Sequence, residues 1–248
     1  MEPARGSVSA FTERWKVDAA DRPRCRDCVI RGLVFCGQVP PDLLDDLERS
    51  RDALLVGEGQ TLFLEGDPSA SYFLVRGGAL RLYKLLPDGR RQITAFALPG
   101  DWLGLSNSSR YVHNVQAIVP STLCEFSRQS MDTLSSRFSK VAERWHEQRQ
   151  VSLAASQEQI LMLGRMNPLE KLSRFLVDLL DRQNAAGLSG NPVYLPMSRA
   201  DIADFLGITI ETVSRSMSRL KASELIEPLD RNRVQVRDLS RLREAAGY

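Results

Sequence analysis

The alternation of apolar and polar positions divides the chain into a strand-rich part followed by a helical part. Between Gly57 and Gly104, short runs of aliphatic, β-branched and aromatic residues are separated by eight of the sixteen glycines. Closely spaced strands and turns of this kind predict an antiparallel barrel or roll, which the segment 115–126 extends. A short helix is predicted before the roll over residues 41–48, where the leucines share one face.

After Ser127 the apolar positions recur every three or four residues, which predicts a long helix ending near Leu163. Its apolar face can be a seam between two subunits or the side of a helix that lies on the roll, and the length without a breaker favours the seam. Glu158 on this face either repels its symmetry mate or is exposed to solvent. The candidate seam residues are Val141, Trp145, Ala154, Glu158 and Leu161.

The C-terminal part contains local signals for helix starts and stops. Asn167-Pro168 is typical of an N-cap followed by proline in the first turn of a helix. Ser198 is a second candidate N-cap, and the helix that follows it, 199–206, ends at Gly207. A tight turn leads to a helix over 210–223, and residues 226–236 are predicted to form a β-hairpin wing. This order is the pattern of a winged helix-turn-helix.

The second of these helices presents polar residues that suit the major groove of DNA. Arg215 can contact guanine O6 and N7, Glu211 can accept from the amino group of cytosine, and Ser214 can bond a base edge or a phosphate. In the alternative interpretation, Glu211 and Arg215 form a solvent-facing ion pair four residues apart; the preceding turn and the wing favour DNA. The candidate phosphate contacts are Ser198, Thr209, Thr212, Arg219 and Lys221.

Composition sets the broad class of the protein. The chain has 248 residues, of which 43% are hydrophobic and 26% charged, as expected for one large or two smaller globular domains. A net charge of +2 is too small to indicate nucleic acid, so the DNA prediction rests on the motif. There is no run of about 18 apolar residues and no apolar leader, so we expect no membrane partner and a cytoplasmic location.

Cysteines form the second candidate site. Cys25, Cys28 and Cys36 lie within twelve residues, and Cys124 is far downstream. A C-x-x-C pair lets two sulfurs share one metal ion or cluster, so structural zinc and an iron-sulfur cluster both fit. A thiol-disulfide oxidoreductase is an enzyme alternative, although the βαβ pattern usual around that motif is missing. Cys124 by itself would be typical of a buried core cysteine.

Three arginines flank the cysteine stretch. Arg24, Arg26 and Arg31 could favour thiolates and offset the negative charge of a cluster, or could be ordinary surface charges.

A glycine-rich roll, a long helix and a winged helix-turn-helix in this order resemble the CRP/FNR superfamily of bacterial transcription regulators over nearly the whole chain. The cysteines and the E-x-x-S-R pattern at Glu211, Ser214 and Arg215 are similar to the FNR-like branch. The resemblance implies an α+β fold with an N-terminal antiparallel, cyclic-nucleotide-binding-like β-roll, a long dimerisation helix and a C-terminal winged helix-turn-helix. The corresponding domains are an N-terminal arm with the cysteine cluster at 1–39, the roll at 40–128, the dimerisation helix at 129–165 and the DNA-binding domain at 166–248.

The same resemblance implies a regulator and not an enzyme. It implies a homodimer that binds palindromic double-stranded DNA with TTGAT-like half-sites and is controlled by an oxygen-labile 4Fe-4S cluster. The implied ligands are Cys25, Cys28, Cys36 and Cys124, with seven residues between Cys28 and Cys36 where the best-known members have five. RNA polymerase is an implied partner, with the turn 87–91 as a candidate contact by its position.

Cyclic nucleotide is not expected as the effector. The cyclic-nucleotide sensors of the superfamily place a Gly-Glu pair and a later Arg-Ser or Arg-Thr in the roll. Residues 104–117 of this chain contain no glutamate, and Arg110 is followed by Tyr111.

Overall fold

The computed structural model describes residues 24–28, 30–106, 108–185 and 190–247. They fall into two compact units. The first contains the described residues up to Arg81 together with Phe96–Arg149, and the second contains Leu82–Ala95 and the described residues from Gln150 onward. Most of the predicted N-terminal arm lies outside the described residues. None of the described helices is both long and apolar enough to cross a membrane.

The first unit is built around a sheet, as the alternating runs predict. The strands are β1 (Arg51–Val56), β2 (Thr61–Phe63), β3 (Ser71–Leu85), β4 (Arg91–Ala97), β5 (Trp102–Leu103) and β6 (Asn114–Ser127). The order is β1-β6-β3-β4, with β2 paired to β6 and β5 paired to β3. Strands β1 and β2 run antiparallel to β6, and β5 runs antiparallel to β3. Leu74, Leu80, Leu123 and Phe126 are buried in the core, which confirms the predicted antiparallel roll.

The close approach of β3 and β6 requires a glycine at residue 78. Gly78 has a φ of 87°, a conformation that glycine adopts without steric cost. An added Cβ atom would lie 2.6 Å from the carbonyl oxygen of Pro120. The neighbouring backbone N–H of Ala79 donates to Ser121 Oγ at 3.1 Å.

Short helices connect the cysteine segment to the sheet. Three 3-10 turns, Cys25–Asp27, Arg31–Leu33 and Pro41–Leu43, alternate with α1 (Phe35–Gln38) and α2 (Leu44–Arg49). Leu44 and Leu47 of α2 are buried, which confirms the short helix predicted before the roll.

Residues 128–165 form two helices where the sequence predicts one. They are α3 (Arg128–Arg137) and α4 (Ser139–Arg165). Phe138 between them has an extended backbone, with φ −133° and ψ 104°, and so ends α3. The carbonyl of Phe138 then accepts from the N–H of Val141 at 3.0 Å, which starts α4. The prediction of a single helix over 129–165 is therefore corrected to a short helix followed by a long one.

The second unit contains the C-terminal helices and a small sheet. The helices are α5 (Pro168–Ala185), α6 (Arg199–Leu206), α7 (Ile210–Ala222) and α8 (Leu239–Ala245), and the strands are β7 (Val193–Tyr194), β8 (Ile226–Pro228) and β9 (Arg233–Val236). The strand order is β7-β9-β8. As predicted, Asn167 caps α5, because its Oδ1 accepts from the N–H groups of Leu169 and Glu170 at 2.9 and 3.1 Å.

Candidate cysteine site and nucleic-acid interface

The fold brings all four cysteines together. Cys25, Cys36 and Cys124 are buried, with 5 to 6% of their surface exposed, Cys28 is half-buried, and all four are free thiols. Each of the six thiol pairs is close enough to interact electrostatically. The sequence-distant Cys124 therefore joins the N-terminal three in one site within the first unit.

Two connections position the N-terminal cysteines against the sheet. The backbone N–H of Cys25 donates to Glu48 Oε2 of α2 at 2.9 Å. Strand β1, which follows α2, pairs with β6 so that Ala53 lies opposite Cys124. Helix α2 and strand β1 therefore hold the cysteine turn beside the strand that carries Cys124.

Burial affects the protonation of three of the four thiols. It raises the pKa of Cys25 and of Cys36, and it raises the pKa of Cys124 to about 11. The Arg51 guanidinium acts in the opposite direction on Cys25, to whose Sγ its Nε donates at 3.2 Å. At neutral pH Cys25, Cys36 and Cys124 are therefore held as thiols, and coordination to a metal would remove their protons.

The arginines that act on the thiols are not the ones adjacent to them in sequence. Arg26 forms an exposed ion pair with Asp45 at 3.1 Å, and Arg24 is exposed. Arg51 of β1 and Arg76 of β3 lower the pKa of Cys124. Arg24 and Arg26 have the exposed positions that the alternative interpretation gave them, and sequence proximity did not indicate Arg51 and Arg76, because these come from strands.

The site differs from a closed site for a single ion. Among the residues that the structure describes, no three His, Cys, Asp or Glu side chains are arranged to hold one metal ion. A four-iron cluster needs a different arrangement, because each thiolate binds a separate iron and the sulfurs surround the group. Four neighbouring thiols in a buried site have the donor chemistry of such a cluster.

The helix-turn-helix forms as predicted, from local capping interactions. Ser198 Oγ accepts from the N–H of Asp201 at 3.1 Å while Asp201 Oδ2 accepts from the N–H of Ser198 at 3.1 Å, a reciprocal capping box. Gly207 ends α6 with a φ of 63°, and Thr209 Oγ1 accepts from the N–H of Thr212 at 3.2 Å to start α7. Ser198 and Thr209 therefore lie at the N-termini of α6 and α7, where backbone N–H groups favour phosphate.

Helix α7 separates its buried and exposed faces as predicted. Val213, Met217 and Leu220 are buried, and the candidate DNA contacts are on the exposed side. The exposed candidates are Glu211, Ser214, Arg215, Arg219 and Lys221, with Thr212 partly exposed. Arg215 Nη2 donates to Thr212 Oγ1 at 3.1 Å, and in the described part of the chain it forms no ion pair with Glu211. Both charged side chains are therefore accessible to a ligand.

A contact that the sequence did not predict joins β4 to the first helix of the motif. Arg91 Nη2 lies 2.8 Å from Asp201 Oδ1 and 2.7 Å from Asp204 Oδ2. Beside it, Gln92 Nε2 donates to the carbonyl oxygen of Asp204 at 2.6 Å. All of these residues belong to the second unit. These contacts hold α6 against strand β4.

The candidate seam residues fall into two groups. Val141 and Trp145 are buried within their own protomer; the ring of Trp145 packs edge-on against Tyr72 and Trp102, with centroid distances of 4.7 and 4.9 Å. These two residues belong to the core of the first unit. Ala154, Glu158 and Leu161 are exposed.

One apolar residue that sequence analysis left out continues the exposed group. Val151 is 64% exposed and precedes Ala154, Glu158 and Leu161 at spacings of three, four and three residues. That is the heptad spacing of a coiled-coil seam.

Comparisons with known proteins agree with both halves of the structure. Residues 170–245 match the family described as Crp-like helix-turn-helix domain, and residues 55–138 match the family described as Cyclic nucleotide-binding domain. The chain is 41% identical over 206 residues to the transcriptional activatory protein AadR of Rhodopseudomonas palustris, covering 82% of this chain and 85% of the relative. It is 34% identical over 222 residues to the transcriptional activator protein FnrA of Stutzerimonas stutzeri, covering 88% and 90%.

A solved structure is also similar. FixK2 from Bradyrhizobium japonicum superposes with a TM-score of 0.74 at 31% identity, covering 79% of this chain and 96% of FixK2. The nitrogen fixation regulation protein FixK of Bradyrhizobium diazoefficiens is 39% identical over 197 residues, covering 79% of this chain and 83% of the relative. These relatives regulate transcription and are not enzymes, so the thiol-disulfide oxidoreductase alternative is wrong.

Proposed function

This chain belongs to the CRP/FNR family of DNA-binding transcription regulators, and from that premise we propose that it is an FNR-like, oxygen-responsive member controlled by a 4Fe-4S cluster. One observation carries the proposal. The four thiols of Cys25, Cys28, Cys36 and Cys124 lie close together, three of them buried and Cys28 half-buried, although Cys124 comes from a different part of the chain.

The chain's own residues would hold the cluster in two ways. The four thiolates would each bind one iron, and the apolar surroundings that keep three thiols protonated would also keep water from the bound cluster. The cluster itself would be the oxygen-sensitive group. The cluster would add a direct link between the cysteine turn and Cys124 to the contacts that already hold the turn near β6, so its loss would remove that link.

The output of the regulator is DNA binding as a homodimer. The exposed stripe of α4, formed by Val151, Ala154, Glu158 and Leu161, pairs with the same stripe of a second subunit. In this dimer the two copies of α7 lie about 34 Å apart, which is one turn of DNA. Arg215, Glu211 and Ser214 read the bases of a TTGAT-like palindrome. The residues that contact phosphate are Ser198, Thr209, Thr212, Arg219 and Lys221.

Two further partner assignments belong to the proposal. RNA polymerase is contacted at the turn 87–91. Cyclic nucleotide is not bound in the roll, where the Arg128 guanidinium donates to the carbonyl oxygens of Gly104 and Ser106, each at 2.9 Å, and stacks on Tyr72 at 4.4 Å. These contacts and the hydrogen bond from Nη1 to the Tyr72 hydroxyl occupy both Nη groups of Arg128, while its Nε is buried without a hydrogen-bond partner in the described part of the chain.

A second candidate is a regulator of the same family that carries no cluster and responds to another signal. The raised pKa values of Cys25, Cys36 and Cys124 favour it, because buried thiols are stable without a ligand. Structural zinc would also use four thiolates, but among the described residues no three such side chains are arranged around a single ion.

The deciding experiment is anaerobic purification followed by measurement of iron, acid-labile sulfide, zinc and DNA affinity before and after exposure to air. We expect a brown protein with iron and sulfide that bleaches in air and loses affinity for the palindrome. A colourless protein with stoichiometric zinc, or one free of metal that binds DNA equally in air, would overturn the cluster proposal and leave the family assignment intact.

A further inference from the structure

Arg76 is a buried cation, and its burial favours binding of a negatively charged group. It lies in β3 and is 4% exposed, and in the described ranges of the chain no carboxylate forms an ion pair with it. Burying a guanidinium is costly unless a negative charge compensates it. The charge of Arg76 acts on Cys124, where it favours the thiolate.

Arg51 approaches the same thiols from the other side of β6. It starts β1, where it is paired with Phe126, and its Nε donates to Cys25 Sγ at 3.2 Å. Its charge also acts on Cys124. Because β6 lies between β1 and β3 in the sheet, the two guanidinium groups come from the strands on either side of the one that carries Cys124.

The carboxylate of Glu48 is a negatively charged group near the site. It accepts the backbone N–H of Cys25 and interacts with Arg51. Glu48 therefore orients both the cysteine turn and Arg51, and it offsets only part of the positive charge that Arg51 and Arg76 provide together.

We propose that Arg51 and Arg76 are positioning residues that compensate the negative charge of a cluster bound by the four thiolates, and so set its reduction potential and its retention. This inference rests on the proposed function. Net charge and hydrogen bonds to the sulfurs are two of the factors that determine the potential of an iron-sulfur cluster. Removing either cation makes adding an electron to the cluster less favourable, so the potential falls.

The test compares anaerobic wild-type protein with Arg51→Gln, Arg76→Gln and Arg76→Lys. Arg49→Gln is the matched control, because Arg49 lies two residues from Arg51 with 71% of its side chain exposed and pairs with Asp46. The measurements are iron and sulfide content, the midpoint potential of the cluster, and the rate at which a chelator removes iron. Unfolding of the metal-free proteins is followed as a check on folding.

We expect both glutamine variants to have a lower potential and to lose iron about tenfold faster, the lower end of the effect of residues that support metal ligands. Arg76→Lys keeps the charge and should retain the wild-type potential, and Arg49→Gln should match the wild type in every measurement.

The outcomes separate the two proposals. Iron-loaded glutamine variants with the potential and iron-loss rate of the wild type would overturn the role of the arginines and leave the cluster standing. Wild-type protein that takes up no iron and sulfide would overturn the cluster and this inference together. If Arg76→Gln does not fold, Arg51→Gln decides, because Arg51 is only half-buried.

Discussion

The carboxylate of Glu158 forms an ion pair with the guanidinium of Arg174, with Oε2 and Nη2 2.7 Å apart. Glu158 belongs to the exposed stripe of α4, and Arg174 belongs to α5 of the same chain. The sequence predicted that a glutamate in a seam would repel its symmetry mate unless something offset it. The ion pair offsets that charge within one protomer.

Replacing Arg174 with glutamine should therefore weaken self-association. The freed Glu158 carboxylates would repel each other, and because exposed ion pairs contribute about 0.2–1 kcal/mol, the dimer dissociation constant should rise about two- to fivefold. Sedimentation equilibrium measures the constant. Adding Glu158→Gln to this variant should restore it, and an unchanged constant in Arg174→Gln alone would place Glu158 away from the seam.

Two exposed apolar residues of α4 should respond differently to the same substitution. Val151 is 64% exposed and lies in register with Ala154, Glu158 and Leu161, whereas Leu153 is 55% exposed and lies out of register. Val151→Glu should weaken the dimer more than about tenfold, because the added charge is buried without a partner. Leu153→Glu tests the alternative register, in which Leu153 lies seven residues before Ile160, 71% of which is exposed; it should leave the dimer intact if Val151 belongs to the seam. Equal effects of the two variants in sedimentation would argue against this register.

Arg215 and Lys221 should have distinguishable effects on DNA binding. Arg215→Ala should cost about 1–3 kcal/mol and relax the preference at one base pair. Lys221→Ala should weaken binding to all sequences similarly and reduce the salt dependence by about one counterion. Both are measured by titrating a palindrome and its single-base variants at several salt concentrations. Uniform weakening by Arg215→Ala would show that Arg215 contacts only phosphate.

The contact of Arg91 with α6 should stabilise the protein. Arg91→Gln removes hydrogen bonds to the buried carboxylate of Asp201, 5% of which is exposed, and to that of Asp204. Because hydrogen bonds to charged groups contribute about 1.5–3 kcal/mol, the free energy of unfolding should fall by that amount in denaturant titration. Arg90→Gln is the control: Arg90 is 76% exposed and pairs with nearby Asp88, so a change within about 0.5 kcal/mol is expected. Equal losses would contradict a specific role for Arg91.

The parts of the structure that local interactions determine were predictable from the sequence. The ends of α6 and α7 follow from Ser198, Gly207 and Thr209, which cap helices by contacts within four residues. The two-residue strand β7 has too few residues to show a pattern, and it forms only because Val193 pairs with Val234 of β9.

Long-range pairing explains what the sequence could not predict at the cysteine site. Arg51 and Arg76 reach the thiols because β1, β6 and β3 are neighbours in the sheet, and that order leaves no local signal in the chain. Similarly, the spacing of Val141 and Trp145 marked an apolar face without indicating what covers it. In the structure the aromatic core of the roll covers Trp145.

Strand β6 connects the cysteine site to the start of α3. Cys124 lies three residues before Ser127, which ends the strand and accepts the hydrogen bond from the N–H of Ser130 that caps α3. At about 3.3 Å per residue, an extended strand of that length is a stiff rod of about 10 Å. A shift of Cys124 along the strand would therefore also move Ser127, whose side chain caps α3.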